Sequence, residues 1–318
     1  MNRLFTITII IMIGVLALAL VFGSTGFDLT PDVIFSIRAP RVFTALFAGA
    51  ATGVAGALSQ SLFRNALATP SITGTESGAA FALALATLIN YQINPDSSLL
   101  HPFIFTFLGA GGATAIAMTF ARATMDGRGG LGRLLLGGFA LNALLAAGTA
   151  FCISILMENG DGMSLYHWLM GSFSARTWPQ AWTMAVGFIT CTLSAMKMAP
   201  LIDALSLGDD SAKSIGINIA KSRTNILVLI AILSGLSLSV GGALPFIGLI
   251  APHFARLTTR PHLKTLIPLS AIIGAILTVS ADIVARTARA PVDMDVGILT
   301  TIIGAPYFLW LIYREEHT

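Results

Sequence analysis

The chain has 318 residues, 55% of them hydrophobic and only 10% charged, with a net charge of +3 and a mean hydropathy of +0.83. A soluble domain carries roughly 25% charged residues because it must cover its surface with them. That deficit excludes a soluble globular protein and points to an all-α integral membrane protein. Two cysteines, Cys152 and Cys191, lie within apolar runs and read as small core residues rather than a disulfide.

In chain order, apolar segments occur at about 4–22, 42–62, 72–89, 103–121, 134–156, 180–199, 225–240, 244–257, 266–286 and 297–313. The first is longer than the roughly 7–15 residues of a signal-peptide core and reads as an uncleaved helix. Directly before the second, "SIRAPRVF" places Arg38 and Arg41 around Pro40 at the mouth of a membrane helix. Separators with turn chemistry include "NPDSS" and "RPHLK". Two longer separators, 157–179 and 200–223, read as holding short helices. Counting the short, proline-containing 244–257 segment as a crossing gives about ten transmembrane helices.

With the N-terminus cytoplasmic and the segments alternating, thirteen of the eighteen Lys and Arg lie inside. The five outside are Arg38, Arg41, Arg176, Arg286 and Arg289. This bias favours cytoplasmic N- and C-termini and a multi-pass chain. No separate soluble domain is expected, so residues 1–318 form a single transmembrane domain.

Enzymatic chemistry is absent from the pattern. There is no G-x-x-x-x-G-K-[ST] phosphate loop, and "GRGGLG" at 127–132 joins two membrane segments instead of following a strand. The five histidines are scattered and form no H-E-x-x-H pair, so neither catalytic residues, nor a metal site, nor a cofactor is expected. Asp282 and Arg286, four apart, read as a local ion pair. Glu76 opens its segment beside Thr73 and Thr75, where an acid suits a helix N-terminus. Small-residue rows such as "GAATGVAGA" at 49–57 allow close helix packing. Serines 234, 237 and 239 are spaced for hydrogen bonds along or between helices.

Several stretches resemble the FecCD-type permeases of bacterial importers for iron–siderophores, haem and vitamin B12. They are "RAPR" at 38–41, "AGALSQSLFRNALATPSITGTESGAA" at 55–80, "GGALPFIGLIAPHFAR" at 241–256, and the segments 269–286 and 296–314. The chain departs from the family pattern at Ala66, at Glu76 (where a small or polar residue is usual) and in "DMDVG", which lacks the usual proline before Val-Gly. The resemblance implies ten helices per subunit, two permease subunits (an identical copy or a paralogue) around a central pathway, two copies of a cytoplasmic ATP-binding subunit, and an extracytoplasmic solute-binding protein. Membrane lipid is the surrounding partner, and no nucleic acid is expected.

By the same resemblance, Arg38, Arg41 and Arg286 would face outward and receive glutamates of the binding protein. Lipid-headgroup contact is the alternative for these arginines. The segment of about 203–222, in the cytoplasmic loop between predicted helices 6 and 7, would seat in an ATPase cleft, with Gly208, Asp209, Asp210, Ala212 and Gly216 as its residues. Asn65, Leu67 and Leu131 would narrow the cytoplasmic exit. Asn142, on the fifth helix, either lines the pathway or hydrogen-bonds a neighbouring helix. The implied function is ATP-driven uptake of an iron chelate, haem or cobalamin, with hydrolysis in a separate subunit. An ion-coupled secondary carrier is the alternative; it would need intramembrane acids and inverted repeats, which the sequence does not display.

Overall fold

The row of small residues from Gly49 to Ala57 dictates where the chain's central helix goes. A side chain at Gly49 or Gly56 would collide with the backbone carbonyl of Gly274 or Gly248, respectively. Without Cβ atoms, that helix presses its backbone directly against two others, the small-residue packing expected in lipid, where no hydrophobic force drives helices together.

The structure, a computed structural model, describes residues 2–23, 26–27, 29–93, 101–121, 130–158, 162–258 and 262–315. Helix α1 spans Asn2–Val21 and runs into a small antiparallel hairpin, β1 (Phe22–Gly23) with β2 (Gly26–Phe27), pairing Phe22 with Phe27. Pro31 opens α2 (Pro31–Val33), which passes through a π turn at Ile34–Arg38 into α3 (Ala39–Phe63). Then come α4 (Thr75–Ile93), α5 (Pro102–Ala121), α6 (Gly130–Glu158), α7 (Gly162–Leu169) and α8 (Trp178–Ser206). The series ends with α9 (Asp209–Ser214), α10 (Ile219–Gly241), α11 (Ile247–Thr258), α12 (Leu263–Thr287) and α13 (Val296–Glu315). The ten helices of twelve residues or more coincide with the ten predicted apolar segments, and α7 and α9 fall in the two long separators.

Among the described residues, six helical stretches are long and apolar enough to cross a membrane: Pro31–Phe63, Pro102–Phe120, Gly132–Glu158, Trp178–Ser206, Ile219–Gly241 and Leu263–Thr287. Their burial is uneven. In their most apolar windows 78% of α3 and of α10 is buried, but only 22% of α6 and 28% of α8. Accordingly α3 packs against α8, α10, α11 and α12 at the centre, while α6 and α8 present apolar side chains such as Leu136, Phe139, Trp182 and Val186 outward.

Local signals set the helix ends. Thr177 and Gln180 form a capping box at the start of α8. Asn218 accepts from the Lys221 amide (2.9 Å) at the start of α10. α3 ends on Arg64 in the left-handed conformation (φ 51°). The chain then turns back through a 3₁₀ turn, Pro70–Thr73, which packs against α3, α4, α5, α6 and α10. Thr73 and Thr75 both donate to the Pro70 carbonyl there, which satisfies an acceptor that lipid could not.

One expectation needs amending. The helix within 244–257 has only 12 residues, about 18 Å, short of the roughly 30 Å hydrocarbon core.

Candidate functional site

Two clusters of charge lie at opposite ends of α3, around Arg41 and around Arg64. The 23-residue separation corresponds to about 35 Å of helix.

At the first end, Arg41 reaches across to α12. Its Nε and Nη2 donate to Asp282 Oδ1 at 3.0 and 2.8 Å, and its Nη1 donates to Asp293 Oδ2 at 2.6 Å. Asp282 is fully buried, whereas Asp293, on the loop between α12 and α13, is 26% exposed. Ser174 Oγ donates to the same Asp293 oxygen at 2.7 Å. Burial alone would raise the Asp293 carboxyl; the hydrogen bonds from Ser174 and Arg41 outweigh it and hold the group below its ordinary value. Arg286 contacts Asp282 at 3.6 Å, the expected i,i+4 pair, and donates through Nη2 to the Ala19 carbonyl at 2.8 Å. Asp282 nevertheless gives its short, two-pronged contact to Arg41, 241 residues away in sequence.

Arg38 turns inward. It donates to the carbonyls of Leu20 (3.1 Å), Val21 and Gly26 (3.2 Å), so it caps the C-terminus of α1 and fastens the hairpin. Gly23 leaves room for its guanidinium. Arg38 and Arg286 are buried in the isolated subunit, and Arg41 is 12% exposed. Sequence reasoning gave Asp293, Ser174 and Arg176 no role here; the signals were Arg176 among the outside arginines and Asp293 in the departing "DMDVG" stretch.

At the opposite end the signs are reversed. Asp209, the first residue of α9, accepts from Arg64 Nη2 at 2.6 Å and from Arg223 Nη2 at 2.9 Å to each carboxylate oxygen. Arg64 also donates to the Leu205 carbonyl, closing the end of α8. Burial opposes ionisation of Asp209, but the hydrogen bond of Arg64 and the charge of Arg223 outweigh it, and its carboxyl stays below the ordinary value. A cavity of about 360 Å³ opens beside Arg64, Gly208, Asp209, Asp210 and Arg223. Gly208 (φ 128°) and Gly216 (φ 81°) take backbone conformations closed to most side chains and so bracket α9. Ala212 is fully buried, while Leu207 and Ile215 project with 79% and 67% exposure.

The remaining candidates separate. Asn65 is exposed and its Oδ1 accepts from the Leu67 amide at 2.8 Å, which makes a local turn; Leu67 is half-buried. Leu131 falls in the first turn of α6, with its side chain outside the described residues. Asn142 donates through Nδ2 to the Ser71 carbonyl at 3.0 Å, which ties α6 to the 3₁₀ turn. It also lines a cavity of about 400 Å³ with Ser71, Ile72, Leu135, Leu136 and Phe139. Among the described residues no group of three or more His, Cys, Asp or Glu could hold a metal ion.

Residues 3–314 match the model of the FecCD transport family. The chain is 35% identical over 307 residues to the hemin transport system permease protein HmuU of Yersinia pestis, covering 94% of this chain and 90% of that one. It is 33% identical over 294 residues to the vitamin B12 import system permease protein BtuC of Vibrio cholerae, covering 91% and 85%. A solved inward-facing structure of a transporter assigned to the metal-chelate ABC type superimposes with a TM-score of 0.88 at 28% identity, over 99% of this chain and all of that one. The chain belongs to the FecCD transport family, as a multi-pass permease of the bacterial inner membrane.

Proposed function

We propose that the chain is the transmembrane subunit of a binding-protein-dependent ABC importer, moving an iron chelate, haem or cobalamin into the cytoplasm with ATP hydrolysed by a separate subunit. The observation that carries this reading is the near end-to-end similarity to permeases of hemin, iron-citrate and vitamin B12 import. The secondary-carrier alternative draws no support from those relatives. The Lys and Arg distribution supports a cytoplasmic location for the Asp209 end and both termini, with ten crossings when 244–257 counts as one. In this orientation α9 and its flanks, within the single domain 1–318, meet one of two ATPase copies, and the Arg41 end meets the extracytoplasmic binding protein. A second permease subunit covers the apolar faces that close the pathway.

The test is reconstitution in proteoliposomes with the ATPase and the binding protein, offering ferric hydroxamate, ferric citrate, haem and cobalamin in turn. Uptake of at least one solute that requires ATP on the cytoplasmic side is expected. Uptake driven by an ion gradient without ATP would overturn the reading.

A further inference from the structure

Glu76 stands apart from both charge clusters. It lies in the first turn of α4 and is half-buried. Among the described residues its carboxylate pairs with no cation and accepts no hydrogen bond. An acid at a helix N-terminus is ordinarily held by the amides of the first turn; here none of them reaches it.

Helix geometry fixes the side of α4 on which it stands. Gly78 and Ala82 press on α5 at Gly109, and the Phe81 ring lies against Gly148 of α6. Ala79 packs with Ala110 of α5 and Leu238 of α10. The large apolar side chains that α4 exposes are Leu85, Ile89 and Ile93. They lie about 180° to 260° around the helix from Glu76, so Glu76 faces away from the stripe that meets lipid. That side suits it, because acids within a membrane face the bundle interior or a water-filled space. Two turns further along the same face, Leu83 is buried with Leu156 of α6 and Leu165 of α7, which closes the space toward the Arg41 end. The opening therefore lies toward the turn before α4, where Ser71, Ile72 and Asn142 line the cavity of about 400 Å³.

We infer that Glu76 gives the solute pathway a fixed negative charge and selects neutral or positively charged chelates, such as a cationic ferric trihydroxamate, over anionic ones such as ferric citrate. This role rests on the proposed reading that a solute crosses on the inner side of α4 and α6. Carboxylates that line a pore favour cations in the same way. Unit charges about 10 Å apart, at an effective dielectric constant of about 20, change a rate about tenfold.

The first test reads the charge without transport. Ala80→Cys, one turn along the same half-buried face, puts a thiol within about 6 Å of position 76. The assembled transporter, in phosphatidylcholine nanodiscs at about pH 8, is treated with a cationic and an anionic methanethiosulfonate, with and without ATP. Protein lacking Ala80→Cys, whose Cys152 and Cys191 are buried, gives the background. Relative to a free thiol, the cationic reagent should be favoured about tenfold. Glu76→Gln should bring that preference to within about twofold of the free thiol, and Glu76→Asp should keep it. Import in proteoliposomes then reads selectivity. Glu76→Gln should speed an anionic chelate severalfold, slow a cationic one, and leave a neutral one within about twofold. No reaction at Ala80→Cys in either nucleotide state, or a preference indifferent to Glu76→Gln, would overturn the placement of the charge. A change in import that ignores or opposes the sign of the chelate's charge would overturn the selectivity. A charge-dependent labelling in a transporter that imports nothing under ATP would instead overturn the transport reading.

Discussion

The two ends of α3 share their charges differently. At one, Arg41 bridges two carboxylates, Asp282 and Asp293; at the other, the carboxylate of Asp209 bridges two guanidiniums, Arg64 and Arg223. The difference in burial matters as much as the difference in sign. Asp282 has no exposed surface, so its partners are obligatory. Asp209 and Arg64 are 14% and 39% exposed, so that cluster can rearrange against a partner at modest cost. One end therefore combines a fully buried carboxylate with a partly exposed one, and the other ties α9 onto α3 and α10.

Removal of the fully buried carboxylate should produce the largest effect. Asp282→Asn leaves Arg41 and Arg286 buried with half their compensation, a loss of about 3–5 kcal/mol for a broken buried pair. Thermal unfolding in detergent should fall accordingly, and a shift no larger than that of a surface variant would break the comparison. Asp209→Asn should be milder, about 1–3 kcal/mol, and its signature should lie in pH. Because the folded carboxyl sits below its ordinary value of 3.8, its contribution is present above that pH and is lost as the pH falls through the lower folded value. Asp293 carries the same sign. Stability of the wild type should thus drop on acidification below about pH 4 more steeply than that of the double asparagine variant, as measured by acid unfolding.

The relation between the two ends was only half legible in the sequence. Apolar periods placed the ten long helices, and Gly208 ahead of Asp209 and Asp210 marked the start of α9, because those signals are local. The partners of the charges were not local. Arg41 lies 252 residues from Asp293 and Arg64 lies 145 from Asp209, and a single sequence contains nothing that pairs them. The i,i+4 relation of Asp282 and Arg286 is present, yet it concealed the shorter contact to Arg41. Arg38 misled for a different reason: its flanking proline suggested an exposed mouth, whereas the carbonyls of α1 and the hairpin draw it in.

Smaller effects sharpen the α9 side. Gly216→Val forces a β-branched residue to φ 81° and should cost about 1–2 kcal/mol, with impaired coupling but normal membrane insertion; full transport would argue against a defined α9. Asn142→Leu should have the smallest effect. Its Nδ2 contact to Ser71 is lost, but so is a buried Oδ1 without a partner, so a stability loss of about 0.6 kcal/mol is expected. Transport per surviving molecule should stay near wild type, and a marked change in that ratio would make Asn142 a pathway residue.

The central claim is that ATP hydrolysed by a partner drives transport through the α9 segment. The number of ATP molecules hydrolysed per solute imported, in proteoliposomes carrying wild type or Asp209→Asn, tests it most directly. With α9 released from Arg64 and Arg223, hydrolysis should continue while import falls, so that the ratio rises severalfold. An unchanged ratio, with both rates intact, would contradict the account.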